Sequence, residues 1–359
     1  MSNWLDQNSD HVSPVSEKSI ALLRLQADEL SEYVTNRYFE WHPECRVEDQ
    51  PRIRRLCKED MNHHLGFILM AASTGNGRVF INYVFWLRQV LESRGLTLDH
   101  TEESLRTIAE YLDVHVESPD IETYRQLLGK GLATLEVPTD QLPVPEHHSR
   151  IELPQAKDYT RAVVSGNSQL AGEITRREMS AGLSLVDLGV GIVQPAMYQV
   201  GNLWQSNRIG VAQEHMATAI TQNILARAFM EAEFEDPNGR TAVLSCVPGN
   251  HHSLGLRMVS DALETAGWAC EFLGADTPVE ALVSFVDQKR PDLVALSVSM
   301  PEQLEHLELI STRLRDEFSS GRPSIVAGGL MLNVLKGLPS RVQVDEWFVD
   351  AKQIVEEKT

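Results

Sequence analysis

The chain has 359 residues, enough for two or three domains that each bury a core, and its 42% hydrophobic and 23% charged content is that of a globular protein. A net charge of −19 repels a bare phosphate backbone, and no basic patch offsets it, so direct nucleic-acid binding is not expected. No leader-like start, no apolar run of about 18 residues and no Cys-x-x-Cys pair among Cys45, Cys57, Cys246 and Cys270 point to a cytoplasmic protein with reduced thiols and no membrane contact.

Residues 1–136 read as an N-terminal helical domain. After a polar start, apolar residues recur at three- and four-residue spacing over 20–39, 53–72, 79–95, 103–116 and 121–132. Helix-breaking sequences such as His42-Pro43, Thr74-Gly75-Asn76-Gly77 and Ser118-Pro119-Asp120 fall between them. His63 and His64 lie inside the second of these helices. Neighbouring helical positions are about 100° apart, so one of the pair faces inward or sits at the boundary. An inward imidazole is either a satisfied core histidine, a dimer contact, or a contact to a tetrapyrrole, as an iron ligand in haem or a hydrogen-bond partner to a bilin.

Residues 137–154 shift to proline and charge and read as an extended linker, with His147-His148 in solvent. Residues 155–235 then form a four-helix bundle over 155–165, 169–181, 184–204 and 210–232, the third kinked by Pro195. In residues 236–359, short β-branched or apolar stretches at 241–247, 269–273, 293–298, 324–327 and 346–349 alternate with helix-length segments. That alternation predicts right-handed crossovers and a five-stranded parallel, flavodoxin-like (Rossmann-type) sheet. The fold class is therefore multidomain, α followed by α/β.

The most informative stretch is Val243-Leu-Ser-Cys-Val-Pro-Gly-Asn-His-His-Ser-Leu-Gly255, a strand, a loop with two histidines and the start of a helix. Loops at the carboxyl ends of parallel strands hold ligands, and neutral imidazole is the commonest metal ligand. Asn250-x-His252-x-x-Gly255, then Ser297-Val-Ser299 and Gly328-Gly329, resembles the cobalamin-binding domain of methionine synthase, corrinoid carriers and mutases, whose motif is Asp-x-His-x-x-Gly. The resemblance implies His252 as lower cobalt ligand and small residues lining a slot for the nucleotide tail. His251 is the rival ligand, and the spacing to Gly255 favours His252. Asn250 stands where an acid is usual; a carboxylate would accept the other imidazole N–H and raise ligand basicity.

A second constellation is Trp204, nine residues, then Glu214-His215. It resembles the helical cap of the light-sensing cobalamin-dependent repressors of carotenoid synthesis. The resemblance implies Trp204 over the upper corrin face and Glu214 accepting hydrogen bonds from the ribose of adenosylcobalamin. Those repressors have a histidine directly after the tryptophan; here it is Gln205, which leaves His215 or water as upper ligand after light. No repressor-type helix-turn-helix is read in the N-terminal helices, and the domain order is similar to that of photocobilins, which combine adenosylcobalamin with biliverdin.

The sequence thus predicts a cobalamin photoreceptor, with biliverdin as a candidate second chromophore. It is expected to be a homo-oligomer that signals to an unnamed downstream protein. No nucleophile triad, acid/base pair or phosphate-binding loop suggests turnover. A corrinoid methyl carrier serving a methyltransferase and a haem sensor are the alternatives.

Overall fold

The structure is a computed structural model that describes residues 11–43, 47–138, 151–318 and 323–358. Cys45, His147 and His148 lie outside the described residues. The chain divides into two compact units, Met1–Val144 and Pro145–Thr359.

The first unit is helical, with α1 (Glu17–Leu25), α2 (Ala27–Trp41), α3 (Gln50–Thr74), α4 (Arg78–Ser93), α5 (Asp99–His115) and α6 (Ile121–Glu136). The single helix expected over 20–39 is two, because the chain breaks at Gln26, whose backbone leaves helical geometry. Ser16 caps α1 through its side chain, and Asp120 accepts from the Ser16 backbone N–H at 3.0 Å and from the Ser19 hydroxyl at 2.6 Å. These donors hold the Asp120 carboxyl below the usual carboxylate range. At the far end, buried Arg88 donates to the Leu135 carbonyl at 3.0 Å and also to that of Val137. A guanidinium on the last orphan carbonyls stops α6 where the proline-rich segment begins.

The second unit opens with α7 (Gln155–Val164), α8 (Ser168–Ser180), the short α9 (Leu185–Leu188), a π turn (Gly189–Val193), α10 (Gln194–Gln205) and α11 (Val211–Met230). The residues immediately before Pro195, where a kink was expected, form this π turn. Proline has no N–H to give the carbonyl four residues back, so Gly191 O is released and accepts from Leu153 N at 2.8 Å. Gly191 also leaves space for that strap, since a Cβ there would lie 2.9 Å from Leu153 Cδ1. Tyr159, Leu188, Ile192, Val200, Ala217 and Leu225 fill the bundle core.

The α/β part runs β1 (Thr241–Cys246), α12 (Leu254–Thr265), β2 (Ala269–Gly274), α13 (Val279–Lys289), β3 (Leu293–Ser297), α14 (Leu304–Glu317), β4 (Ser324–Gly328), α15 (Leu330–Leu335), β5 (Glu346–Phe348) and α16 (Ala351–Lys358). Among the described residues every pairing is parallel, in the order β2-β1-β3-β4-β5. That order reverses between β1 and β3, so their carboxyl ends flank the crevice where ligands of such sheets sit. Cys246 is fully buried in this sheet, and Cys246, Cys57 and Cys270 are free thiols.

Bundle and sheet meet along one seam. Val190 packs on Ala262 and Ala351, Lys352 reaches Asp187 at 2.7 Å, and Arg257 stands 5.7 Å from the Phe229 ring. Asp261 lies there 2% exposed, and burial pushes its carboxyl up to about 6 although Arg257 Nε is 2.7 Å away.

Two predictions follow from this packing. A Cβ on Gly329, at φ 111°, would fall 2.1 Å from the Val298 carbonyl oxygen. Gly329→Ala should therefore cost about 3 kcal/mol of unfolding free energy or more; urea denaturation that finds it as stable as wild type refutes that geometry. Asp261 has a folded pKa above its unfolded one, so its contribution is complete below the ordinary 3.8 and is lost as pH rises through about 6. Relative to wild type, Asp261→Asn should gain stability between pH 5 and pH 7.5, on the order of 1–1.5 kcal/mol, since about half of the linkage of such a shift falls in that window. Parallel denaturation at the two pH values measures that difference.

Candidate functional site

The loop between β1 and α12 is built on one buried amide. Asn250, 0% exposed, donates from Nδ2 to the Ser297 carbonyl at 2.9 Å and accepts at Oδ1 from the His252 backbone N–H at 3.0 Å. A carboxylate could accept from His252 but would face the Ser297 carbonyl with no proton to give. The amide thus suits this position for a backbone reason, and here it orients the peptide of His252 rather than the imidazole.

His251 and His252 are both exposed at the crevice between the carboxyl ends of β1 and β3. The protein around His252 lowers its pKa by desolvation, and the Glu214 carboxylate partly offsets this by raising it. Glu214, in the first turn of α11 in the bundle, is therefore close enough to this loop for its charge to act on the imidazole. Desolvation favours the neutral imidazole, the form that binds a metal.

On the bundle side, Trp204 near the end of α10 is half-buried against the bundle core. Glu214 is half-buried, accepts from Thr218 Oγ1 at 3.0 Å and lies 2.6 Å from His215 Nδ1. His215 is thus an exposed partner of Glu214. Gln205, at the place of the repressors' histidine, is 8% exposed and belongs to the bundle interior.

The small residues divide by cause. At Gly255, in the first turn of α12, an added Cβ would meet nothing within 4 Å, so the glycine opens space toward solvent. Gly328 and Gly329 were expected to leave room for a ligand. Their Cβ positions meet the Phe348 carbonyl at 3.1 Å and the Val298 carbonyl at 2.1 Å, so the fold also requires glycine at both places. Ser297 is buried beside Asn250, and Ser299 is half-buried just after β3.

The sequence reading missed two residues here, Asp276 after β2 and Gln303 in the turn Pro301–Gln303, which both bond to Gly249. Neither carries a sequence signal: Gln303 stands between Glu302 and Leu304, six residues beyond the end of β3.

The donor set fits a metal that brings most of its own ligands. Among the described residues no group of three or more His, Cys, Asp or Glu side chains could hold an ion alone, whereas the His252 imidazole is exposed and kept toward its neutral form, with the Glu214 carboxylate near enough to act on it. A planar corrin, with its cobalt held in a ring of nitrogens, asks for one ligand below and a cover above.

In the first unit, His64 faces inward, 4% exposed, with Nδ1 2.7 Å from the Tyr83 hydroxyl, and burial drives its pKa down to about 3. His63 is half-buried beside it. Phe67 stacks on Tyr83 at 4.0 Å, with Trp86 on the other side at 6.1 Å. These contacts give His64 the geometry of a satisfied core histidine. Among the described residues no helix is long and apolar enough to cross a membrane.

Comparison with known proteins agrees with the site. One B12 binding domain model matches residues 155–228 and a second matches residues 240–350. The HTH-type transcriptional repressor CarA of Myxococcus xanthus is 31% identical over 183 residues, 50% of this chain and 60% of the relative. CarH of the same organism is 33% identical over 139 residues, 38% of this chain and 45% of the relative. The chain therefore spans less than two thirds of either repressor. Trimethylamine corrinoid protein 1 of Methanosarcina acetivorans is 23% identical over 180 residues, 49% of this chain and 81% of that protein. Among solved structures, the monomethylamine corrinoid protein of Methanosarcina barkeri aligns with 56% of this chain and 95% of its own at 20% identity and a TM-score of 0.48. With a helical and an α/β B12 binding domain matched in succession around the histidine crevice, this chain belongs to the cobalamin-binding family built on that domain pair.

Proposed function

We propose that this protein is a cobalamin-dependent photoreceptor that holds adenosylcobalamin between bundle and sheet. His252 lies beneath the cobalt, and Trp204 and Glu214 cover the opposite face. The observation that carries this reading is the position of Glu214, a bundle residue near enough for its charge to act on the His252 imidazole. When bound, the cofactor supplies a cobalt–carbon bond that visible light can break.

The chain's own residues do the rest. His252 donates a nitrogen lone pair from a loop whose backbone is already hydrogen-bonded. Trp204 excludes water from the upper face, and Glu214, oriented by Thr218, accepts from ribose hydroxyls. Gly255 leaves the nucleotide tail a way past the first turn of α12. A ligand without the adenosyl group would leave Glu214 without those partners, so the cap would prefer another position, a bias set by differential contacts in the two states. We read the output as a changed cap position and a changed association between copies, passed to a signalling partner without turnover. CarA and CarH are repressors by name, and this chain shares their cobalamin-binding portion in sequence. Biliverdin would be a second chromophore in the first unit; the enclosed, Tyr83-bonded His64 makes half-buried His63 the better contact for it.

The full chain reconstituted with adenosylcobalamin should change its absorption spectrum and its elution from a sizing column after green light. A spectrum unmoved by illumination, with methyl transfer to an added methyltransferase, would make it a carrier like the corrinoid proteins it also resembles. Glu214→Gln should weaken adenosylcobalamin about tenfold or more relative to methylcobalamin, since a hydrogen bond to a charged group is worth about 1.5–3 kcal/mol. An unchanged affinity ratio removes Glu214 from the adenosyl site.

A further inference from the structure

We infer that Gln303, with Asp276, is the positioning residue that presets the His252 loop for cobalt, by clasping the Gly249 peptide from two sides. This rests on the reading of His252 as lower cobalt ligand and adds to it residues that no part of the cobalamin motif contains.

Gly249 sits in left-handed backbone at φ 75°, three residues before His252. Its N–H donates to Asp276 Oδ1 at 2.7 Å, and its carbonyl accepts from Gln303 Nε2 at 3.0 Å. Asp276 also returns its own backbone N–H to the Asn250 carbonyl at 3.0 Å. Gln303 is only 4% exposed, and its Oε1 accepts from the backbone N–H groups of Ser299 at 2.8 Å and Met300 at 3.1 Å. One buried carboxamide therefore joins the loop after β1 to the loop after β3, the two sides of the crevice. The job needs a group that donates at one end and accepts at the other, which glutamine does and glutamate, when ionised, does not.

The consequence for binding is entropic. The chain between β1 and α12 has no helix or strand pairing of its own. Without the clasp the loop would be held by the Asn250 bonds alone, and the remaining cost of fixing Gly249 would fall on the complex. With the clasp the cost is met during folding, so the imidazole is presented at a fixed height above the sheet edge.

The test uses the full chain loaded with cob(II)alamin. With the protein labelled with 15N, a coordinated protein imidazole splits the cobalt electron-spin-resonance lines into doublets, whereas the cofactor's own 14N base would give triplets, and a change in stability alone alters neither; the splitting followed below is the doublet. Gln303→Ala should bind cobalamin about tenfold more weakly and show a large fraction of molecules without the protein nitrogen. Gln303→Glu, examined at pH 8, keeps the acceptor for Ser299 and Met300 but loses the donor to Gly249. It should melt within a few degrees of wild type yet lose the nitrogen splitting to a similar extent. If Gln303→Ala does not fold, Gln303→Glu decides alone. Wild-type splitting and affinity in the Gln303 variants overturn the inference. His252→Ala in the same assay separates the two levels. If it keeps the splitting, the ligand assignment itself is wrong; if it loses the splitting while the Gln303 variants keep it, only the positioning role falls.

Discussion

The site depends on a hydrogen bond between a side-chain amide and a backbone carbonyl, from Asn250 Nδ2 to Ser297 O, at zero exposure to solvent. It bridges the loop after β1 and the end of β3 where the strand order reverses, pairing a buried amide that has no solvent to turn to with a carbonyl that also accepts from the Val247 N–H at 3.2 Å. Leaving such groups unpaired costs about 1–3 kcal/mol each, so the loop has strong reason to keep one shape. His252 inherits its position from that requirement. The same bond explains why an amide is found where relatives of this domain type commonly carry an acid. The neighbour that needs a proton here is a carbonyl, and an amide can donate one while accepting from His252.

Much of this was legible in the sequence. Alternation of β-branched stretches with amphipathic segments gave the parallel sheet, and the run from Val243 to Gly255 gave a strand, a loop and a helix with imidazole in between. Trp204 and Glu214 were singled out by the resemblance of their spacing to that of the repressors' cap, and both are half-buried at the ends of consecutive bundle helices. What pattern could not supply was the reason for each small or polar residue. Gly255, Gly328 and Gly329 look alike in sequence, yet the first opens space and the other two are forced by carbonyls from distant strands. Gln303 and Arg88 were passed over because their partners are backbone atoms, which leave no trace in residue type. Periodicity likewise ran through Gln26 unbroken, although the helix does not.

The two units also use histidine in opposite ways. His64 is enclosed, bonded to Tyr83 and driven far below its ordinary pKa, so its enclosure favours folding above the ordinary 6.5 and opposes it as pH falls through that value. His252 is exposed at a crevice, with its lone pairs free of any backbone donor among the contacts that hold its loop. Burial makes the first a piece of the core, and access leaves the second open to a ligand's approach.

The seam around Phe229, Arg257 and the Asp187–Lys352 pair has a mechanical corollary. Glu214 and Phe229 sit on one helix, α11, 15 residues apart, which at 1.5 Å per residue is about 22 Å of stiff rod. A pivot near Phe229 turns a tilt of about ten degrees into a stroke of about 4 Å at the Glu214 tip. Interface atoms at the fulcrum barely shift while the far end travels by more than the width of a carbon atom. Such a lever would let an event no larger than the departure of one small organic group become a displacement that another molecule can feel.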